Sequence, residues 1–456
     1  MYDSHAPESD RGIAQLPPLP LFSLISLPLP GPSEVPWRLS RQTVENYVAK
    51  YTALWEAADA ATPRMGPVIP PRQKLERESR LNLQLEEIKT KLRCFPRSRQ
   101  RREGWREDLL NTAKELAGRT LGLPEAGLDL FFTRTGLDAT QQFVRDARTF
   151  DSALSDESLF QALRNLWVIY SIQLLLERKV ALSAPVFAYC MLYPWTDNYL
   201  DDPQIPREAK IGFGEWLGRR LGGSRVAPPD SHAAQVGRLV ALIEESFPRP
   251  EFEDVYFSLS AIHRAQISSL QQQQQATSLP NEQDLIRITV EKGGTSVLAD
   301  ACLVAGRLSD PEADFMFGYG VLLQLLDDLQ DLRNDLANGH VTVFARQAAH
   351  GLLDELASRL WSFTQTVLWS SCRFEAPKFQ PVKALIQANC KLLLLQAVAR
   401  NCGFYTARFV AALESFFPAH FSFINSRQAS LDAECRTIIS RLRRSRRIHS
   451  AFDLLD

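Results

Sequence analysis

Seven aspartates in two short segments are the residues of this chain best suited to chemistry. In LLQLLDDLQDLRND, residues 322–335, Asp327, Asp331 and Asp335 recur at i, i+4, i+8, with Asp328 and Gln324 beside them. That spacing stacks side chains on one face of a helix. Like charges so placed destabilise a helix by a few tenths of a kcal/mol per pair. No Lys or Arg stands in that face to offset them, so the pattern points to a cation from outside. Oxygen-only ligands suit a hard divalent ion, Mg²⁺ above all. A second segment, YPWTDNYLDD at 193–202, repeats the device: Asp197 and Asp201 are i, i+4, and Asp202 follows. Each segment alone reads as readily as a solvated helix face. Together they describe two carboxylate walls able to hold Mg²⁺ ions that clamp a diphosphate between them.

The flanking residues say what must position these groups. Leu322, Leu325, Leu326, Leu329, Leu332 and Leu336 keep helical spacing and predict a face turned to a core. Ahead of the first segment, Ser183-Ala184-Pro185 predicts a helix start, and Val186–Tyr193 is almost wholly apolar. A buried helix would therefore deliver Asp197 and Asp201 at its electronegative C-terminal end, where ionised carboxylates need a cation most. Between the segments lies Glu291-Lys292-Gly293-Gly294-Thr295-Ser296. Two glycines inside a helical run cost about 1 kcal/mol each relative to alanine. They suggest a kink that frees backbone N–H groups beside Lys292, a combination suited to phosphate. The plainer reading is a close helix crossing beside a surface lysine.

The stretch LQLLDDLQD at 323–331 resembles the second aspartate-rich motif of trans-polyprenyl diphosphate synthases, FQxxDDxxD, with Leu323 in place of Phe. Asp335-Leu336-Ala337-Asn338-Gly339-His340-Val341-Thr342 is similar to the DLxxGKxT segment of the same family, with His340 where Lys is usual. The region also resembles the squalene/phytoene synthase pattern through Asp331, Asp335 and Gly339, and 197–202 resembles the first aspartate motif. All belong to the class I isoprenoid synthase superfamily. The resemblance covers about 155–350. It implies an all-α helical bundle around a central apolar cavity, with a helical N-terminal extension. It also implies about two or three Mg²⁺ ions held by Asp197, Asp201, Asp202, Asp327, Asp328, Asp331 and Asp335. An allylic prenyl diphosphate would be the substrate, with Lys292, Gln324, Tyr193 and Phe317 contacting it and Asp327, Asp328, Asp331 and Lys292 acting in its ionisation. Phe187, Tyr189 and Tyr319 are further aromatic candidates for facing a carbocation. No GGKRxRP-like segment precedes the first motif, which tilts the reading from chain elongation toward a terpene synthase; Arg97–Arg102 is the one basic stretch that could substitute. No NSE-type triad is present either. Three readings stand: a terpene synthase, a prenyltransferase joining two substrates by elongation or head-to-head condensation, and a helical interaction protein without catalysis.

The rest of the chain fits around this. It has 456 residues, 45% hydrophobic and 23% charged, with net charge −1, which argues against a nucleic-acid binder. Seven scattered cysteines without a CxxC pair read as buried thiols. Apolar runs fall short of a membrane span, and the expected location is cytoplasmic. Eight prolines in residues 1–36 predict an extended arm within a 1–40 segment. A helical extension is expected over 41–120 and the synthase-like domain over 121–430. Long helices are predicted at 103–120, 251–275, 281–306, 311–337, 341–371, 379–416 and 428–447. The tail beyond 431 carries five arginines in Arg441–Arg447. That run reads as a solvated helix end, a lid over the diphosphate, or a peripheral contact with an anionic membrane. A homodimer is compatible with all of this.

Overall fold

The computed structural model describes residues 37–96, 98–202, 204–273, 280–369 and 372–427, with Thr437. The proline-rich arm, Arg97, the predicted helix at 428–447 and the arginine-rich tail lie outside the described residues, as does the Tyr193 side chain. Among the described residues every regular element is a helix, so the all-α expectation holds. One isolated antiparallel bridge joins Gln273 to His340.

The chain opens with α1 (Arg41–Glu56), α2 (Pro71–Arg93) and α3 (Arg99–Glu115), the last running on through a π turn to Thr120. Next come α4 (Glu125–Phe131), α5 (Arg134–Phe150), α6 (Asp156–Leu175) and α7 (Ala184–Asp201). Then follow α8 (Arg207–Leu221), α9 (Ser231–Ser246), α10 (Glu253–Ser269) and α11 (Glu282–Ala305). The chain continues with α12 (Asp310–Gln330), α13 (Leu332–Asn338) and α14 (Val343–Ala348). It ends with α15 (Asp354–Trp369), α16 (Gln380–Arg400) and α17 (Ala407–Glu414), followed by a last helical stretch over 421–427.

α11 and α12 form the axis of the bundle. α11 touches α12, α10, α1, α6 and α7, while α15 and α16 close over α12. The glycine pair explains how tightly the axis is built. A Cβ on Gly320 would stand 2.0 Å from the Gly293 carbonyl oxygen, and one on Gly293 would stand 2.6 Å from the Gly320 carbonyl. A Cβ on Gly294 would collide with the Phe317 ring at 2.3 Å. The helical hydrogen bonding of α11 runs unbroken across both glycines, so they serve a backbone-to-backbone crossing and not the predicted kink.

α1 belongs to this core. Its Tyr47, Tyr51 and Trp55 are buried against α12 and α15, and the Tyr51 hydroxyl donates to the Asp314 carbonyl at 2.7 Å. α2 and α3 instead share a small apolar cluster of their own, Leu92 and Phe95 with Trp105 packed on them.

Several predicted helices are subdivided. The 311–337 helix is interrupted at Asp331 and resumes as α13 at Leu332, while the backbone bonds from Asp331 to the Asp327 carbonyl and from Asp335 to the Asp331 carbonyl keep the three aspartates one turn apart. Leu336 is 38% exposed, while the five other leucines of its predicted stripe are buried. The 341–371 and 379–416 helices each divide in two, around Gly351 and Gly403. Pro377–Arg400 does reach membrane-spanning length and apolarity, contrary to the expectation for apolar runs, but more than half of that stretch is buried in the bundle.

Candidate active site

The two acidic segments arrive on α7 and α12, which both pack against α11. α7 carries Pro194 three residues before Asp197. Proline cannot donate to the Cys190 carbonyl one turn back, which loosens the helix just where the acids begin. α12 brings Asp327 and Asp328 to its C-terminal end, and Asp331 caps it. α13 carries Asp335 and ends at Gly339, whose φ of 66° turns the chain through the left-handed region and swings His340 back toward the acids. Arg333 secures α13 to α16 by donating to the Asn401 side chain at 2.8 Å and to the Arg400 carbonyl at 2.9 Å.

Lys292 stands between the two groups. Its Nζ lies 2.9 Å from Asp197 Oδ1, and its side chain is only 8% exposed. Burial raises the Asp197 carboxyl above its usual range; Lys292 opposes this, and the charges of Asp201 and Asp327 add to it. Asp197 and Asp327, 130 residues apart in sequence, are therefore within electrostatic reach of one another. Asp327 itself pairs with Arg164 of α6 at 2.9 Å. His340 closes the other side: its Nδ1 lies 3.5 Å from Asp335 Oδ1. Burial disfavours its charge, but the Asp335 hydrogen bond and the fields of Asp201 and Asp335 outweigh that and raise it.

Asp328 is the most enclosed of the acids. It accepts from Thr289 at 3.2 Å and from Gln324 at 2.9 Å. Burial, with Asp335 and Asp327 nearby, pushes it up to about 7. Burial and the same two neighbours push Asp331 up to about 6, against Arg164 and Arg400. Asp335 accepts from Thr342 at 3.2 Å. Asp201 accepts from Gln273 at 3.2 Å, and the buried Lys210 donates to the same glutamine at 3.3 Å. Asp202 caps the turn after α7 by accepting from the Gln204 backbone at 2.8 Å.

Gln324 thus reaches the acids as a partner of Asp328. Phe317 lies elsewhere: its ring packs on Tyr47 and Tyr51 of α1, at centroid distances of 5.4 and 5.7 Å. Phe187 sits against Phe143 and Phe150, and the Tyr189 hydroxyl donates to the Ser296 carbonyl at 3.2 Å. A cavity of about 580 Å³ opens beside Arg220, Glu244 and Arg249, and none of its lining residues belongs to the acidic groups.

The chain matches no protein-family model and no curated protein sequence.

Among the described residues, no three acidic, imidazole or thiol side chains converge closely enough to hold a metal ion as they stand. Lys292 and Arg164 occupy the partner positions of Asp197 and Asp327 instead. The donor set still suits a hard cation. It is all carboxylate, and Asp328 and Asp331 sit above their usual range partly through repulsion from Asp327 and Asp335, which a cation would relieve.

Arg164, Lys210, Thr289 and Gln273 escaped sequence reasoning. Thr289 was within reach of it, because it lies one turn before Lys292 on the same face. The other three come from helices whose approach no local pattern announces.

The raised carboxyls set a pH dependence. Asp328 and Asp331 hold their protons more tightly folded than unfolded. Their stabilising contribution is complete below about pH 4 and fades as pH rises toward about 7. The melting temperature of the metal-free protein should fall across that window, and Asp328→Asn should flatten the fall. Thermal melts of both proteins from acid to neutral pH check this; identical slopes would contradict it.

Proposed function

We propose that the chain is a Mg²⁺-dependent class I terpene synthase with the superfamily's helical bundle, ionising an allylic prenyl diphosphate to a terpene hydrocarbon or alcohol. One observation carries the reading. Asp197 pairs with the buried Lys292 and lies within electrostatic reach of Asp327, which comes from a distant segment. Carboxylates converging on a cation are the arrangement that binds a metal-bridged diphosphate.

In this scheme Asp197, Asp201, Asp327, Asp328 and Asp331 would hold Mg²⁺, which when bound neutralises charge on the departing diphosphate. Lys292 and Arg164, now paired with Asp197 and Asp327, are the cations a diphosphate would draw. Thr289 and Gln324 hold Asp328 in one orientation, and Thr342 holds Asp335. Gln273 links Asp201 to the bridge at His340, tying the ends of α7, α10 and α13 together. The aromatic and aliphatic side chains of the interior below would shield a carbocation from water.

A prenyltransferase needs a second diphosphate site. In the basic stretch offered for it, Arg102 is engaged locally: it lies 4.8 Å over the Phe95 ring and donates to the Pro96 carbonyl. The terpene synthase reading is therefore preferred.

The test is incubation with Mg²⁺ and allylic diphosphates of increasing length, with and without isopentenyl diphosphate. Diphosphate release and a hydrocarbon or alcohol from one substrate support the proposal. Dependence on isopentenyl diphosphate or on a second prenyl chain would favour a prenyltransferase, and no release under any condition the interaction protein. Lys292→Gln should slow release about a hundredfold, the effect of losing one electrostatic donor. A steady-state rate within twofold of the parent would remove Lys292 from the scheme.

A further inference from the structure

Below the acidic groups lies a second polar layer that the scheme above leaves unused. Asp300 of α11 is eight residues beyond Lys292, about 12 Å along the helix. Cys190 lies seven residues before Asp197 on α7, and Tyr319 eight before Asp327 on α12. The three helices thus place Asp300, Cys190 and Tyr319 at a similar depth. Asp300 is wholly buried, and its Oδ1 accepts from Asn165 of α6 at 3.4 Å. The Asn165 amide also points at the Cys190 sulfur at 4.0 Å, and Tyr319 shares a hydrogen bond with Ser171 at 3.2 Å. Among the described residues nothing donates to Asp300 Oδ2. A buried carboxyl oxygen without a partner is costly and calls for an explanation. Among the described residues no Lys, Arg or His pairs with it to balance a charge. Burial holds its carboxyl well above the usual range, against the Asn165 hydrogen bond, and so favours the protonated form.

We propose that Asp300 is a proton donor and acceptor for the hydrocarbon part of the substrate, acting on a distal double bond of a prenyl chain whose diphosphate sits at the aspartates. The inference rests on the synthase reading. A first carbocation loses a proton to the departing diphosphate and becomes a neutral polyene. The Asp300 O–H bond then breaks, its proton goes to one carbon of a distal double bond, and the π electrons form the new C–H bond. This leaves a second carbocation and the Asp300 carboxylate. A C–H bond beside the final cationic carbon then breaks; its electrons form the product double bond and its proton restores Asp300. No outside oxidant, reductant or base is consumed. A neutral carboxylic acid in apolar surroundings is suited to such donation.

The test uses the full chain with Mg²⁺ and its allylic diphosphate in deuterium oxide. In a single turnover of protein already exchanged in deuterium oxide, the wild-type product should carry one deuterium. Asp300→Asn, which keeps the shape of the group and a partner for Asn165, should release diphosphate within about twofold of the wild type. Its product should be an undeuterated, less cyclised polyene. A deuterium-free wild-type product, or an unchanged product from Asp300→Asn, overturns the proposal while leaving the synthase reading in place. Absence of diphosphate release from the wild type overturns that reading and this inference with it.

Discussion

Asp327→Ala will reduce diphosphate release by about a thousandfold or more, the scale seen when a main electrostatic contributor to a transition state is removed. It will do so without unfolding the protein. The Asp327 side chain is 44% exposed, and its recorded ion pair, to Arg164, is itself half exposed, so little stability rests on it. Its neighbours are the groups that matter. Asp327 is the member of the second acidic segment whose charge reaches Asp197, and it also acts on Asp328 and Asp331. Removing it deletes the link between the two walls. A single-turnover measurement of released diphosphate, beside a circular dichroism spectrum, checks both halves. A folded variant that releases diphosphate at the parental rate would dismiss the scheme.

Gly320→Ala will destabilise the fold by about 2–4 kcal/mol. The sign is the informative part. In an open helical position alanine is better than glycine by about 1 kcal/mol. At Gly320 the new methyl would lie 2.0 Å from the Gly293 carbonyl oxygen and 3.0 Å from Val297 Cβ. Backbone cannot swing aside as a side-chain tip can, so α11 and α12 must separate. That movement would carry Lys292 away from the end of α12 and reduce diphosphate release as well. Gly104 on α3 is the control: a Cβ there meets nothing within 4 Å, and alanine should stabilise. Denaturant unfolding of the two variants checks the contrast; equal effects would show that the crossing is looser than described.

Much of this was legible in the sequence because it is written in local periodicity. The stripe from Leu322 to Leu332 identified the buried face of α12, and Val186–Tyr193 identified α7 as a core helix. The failures are also physical. The stop at Asp331 was invisible because Leu-rich periodicity continues through it, while the crowding of carboxylates that accompanies it depends on three dimensions. The glycine pair was ambiguous because a kink and a close crossing use the same residue. Only the opposing Gly320 decides between them, and it lies on another helix. The Phe317 ring could not be assigned a partner before α1 was known to fold across it. Arg164 and Lys210 carry no motif, since a lone cation near an acid is a tertiary event.

The most direct measurement is a titration with Mn²⁺ as a spectroscopic substitute for Mg²⁺, followed by electron paramagnetic resonance with and without inorganic diphosphate. The account predicts that diphosphate makes the wild-type protein take up about two or three ions, and that Asp197→Asn and Asp327→Asn each abolish the uptake. Loss in both variants would mean that the two segments share one site. Unchanged binding in either, or no binding by the wild type, would contradict the account at its centre.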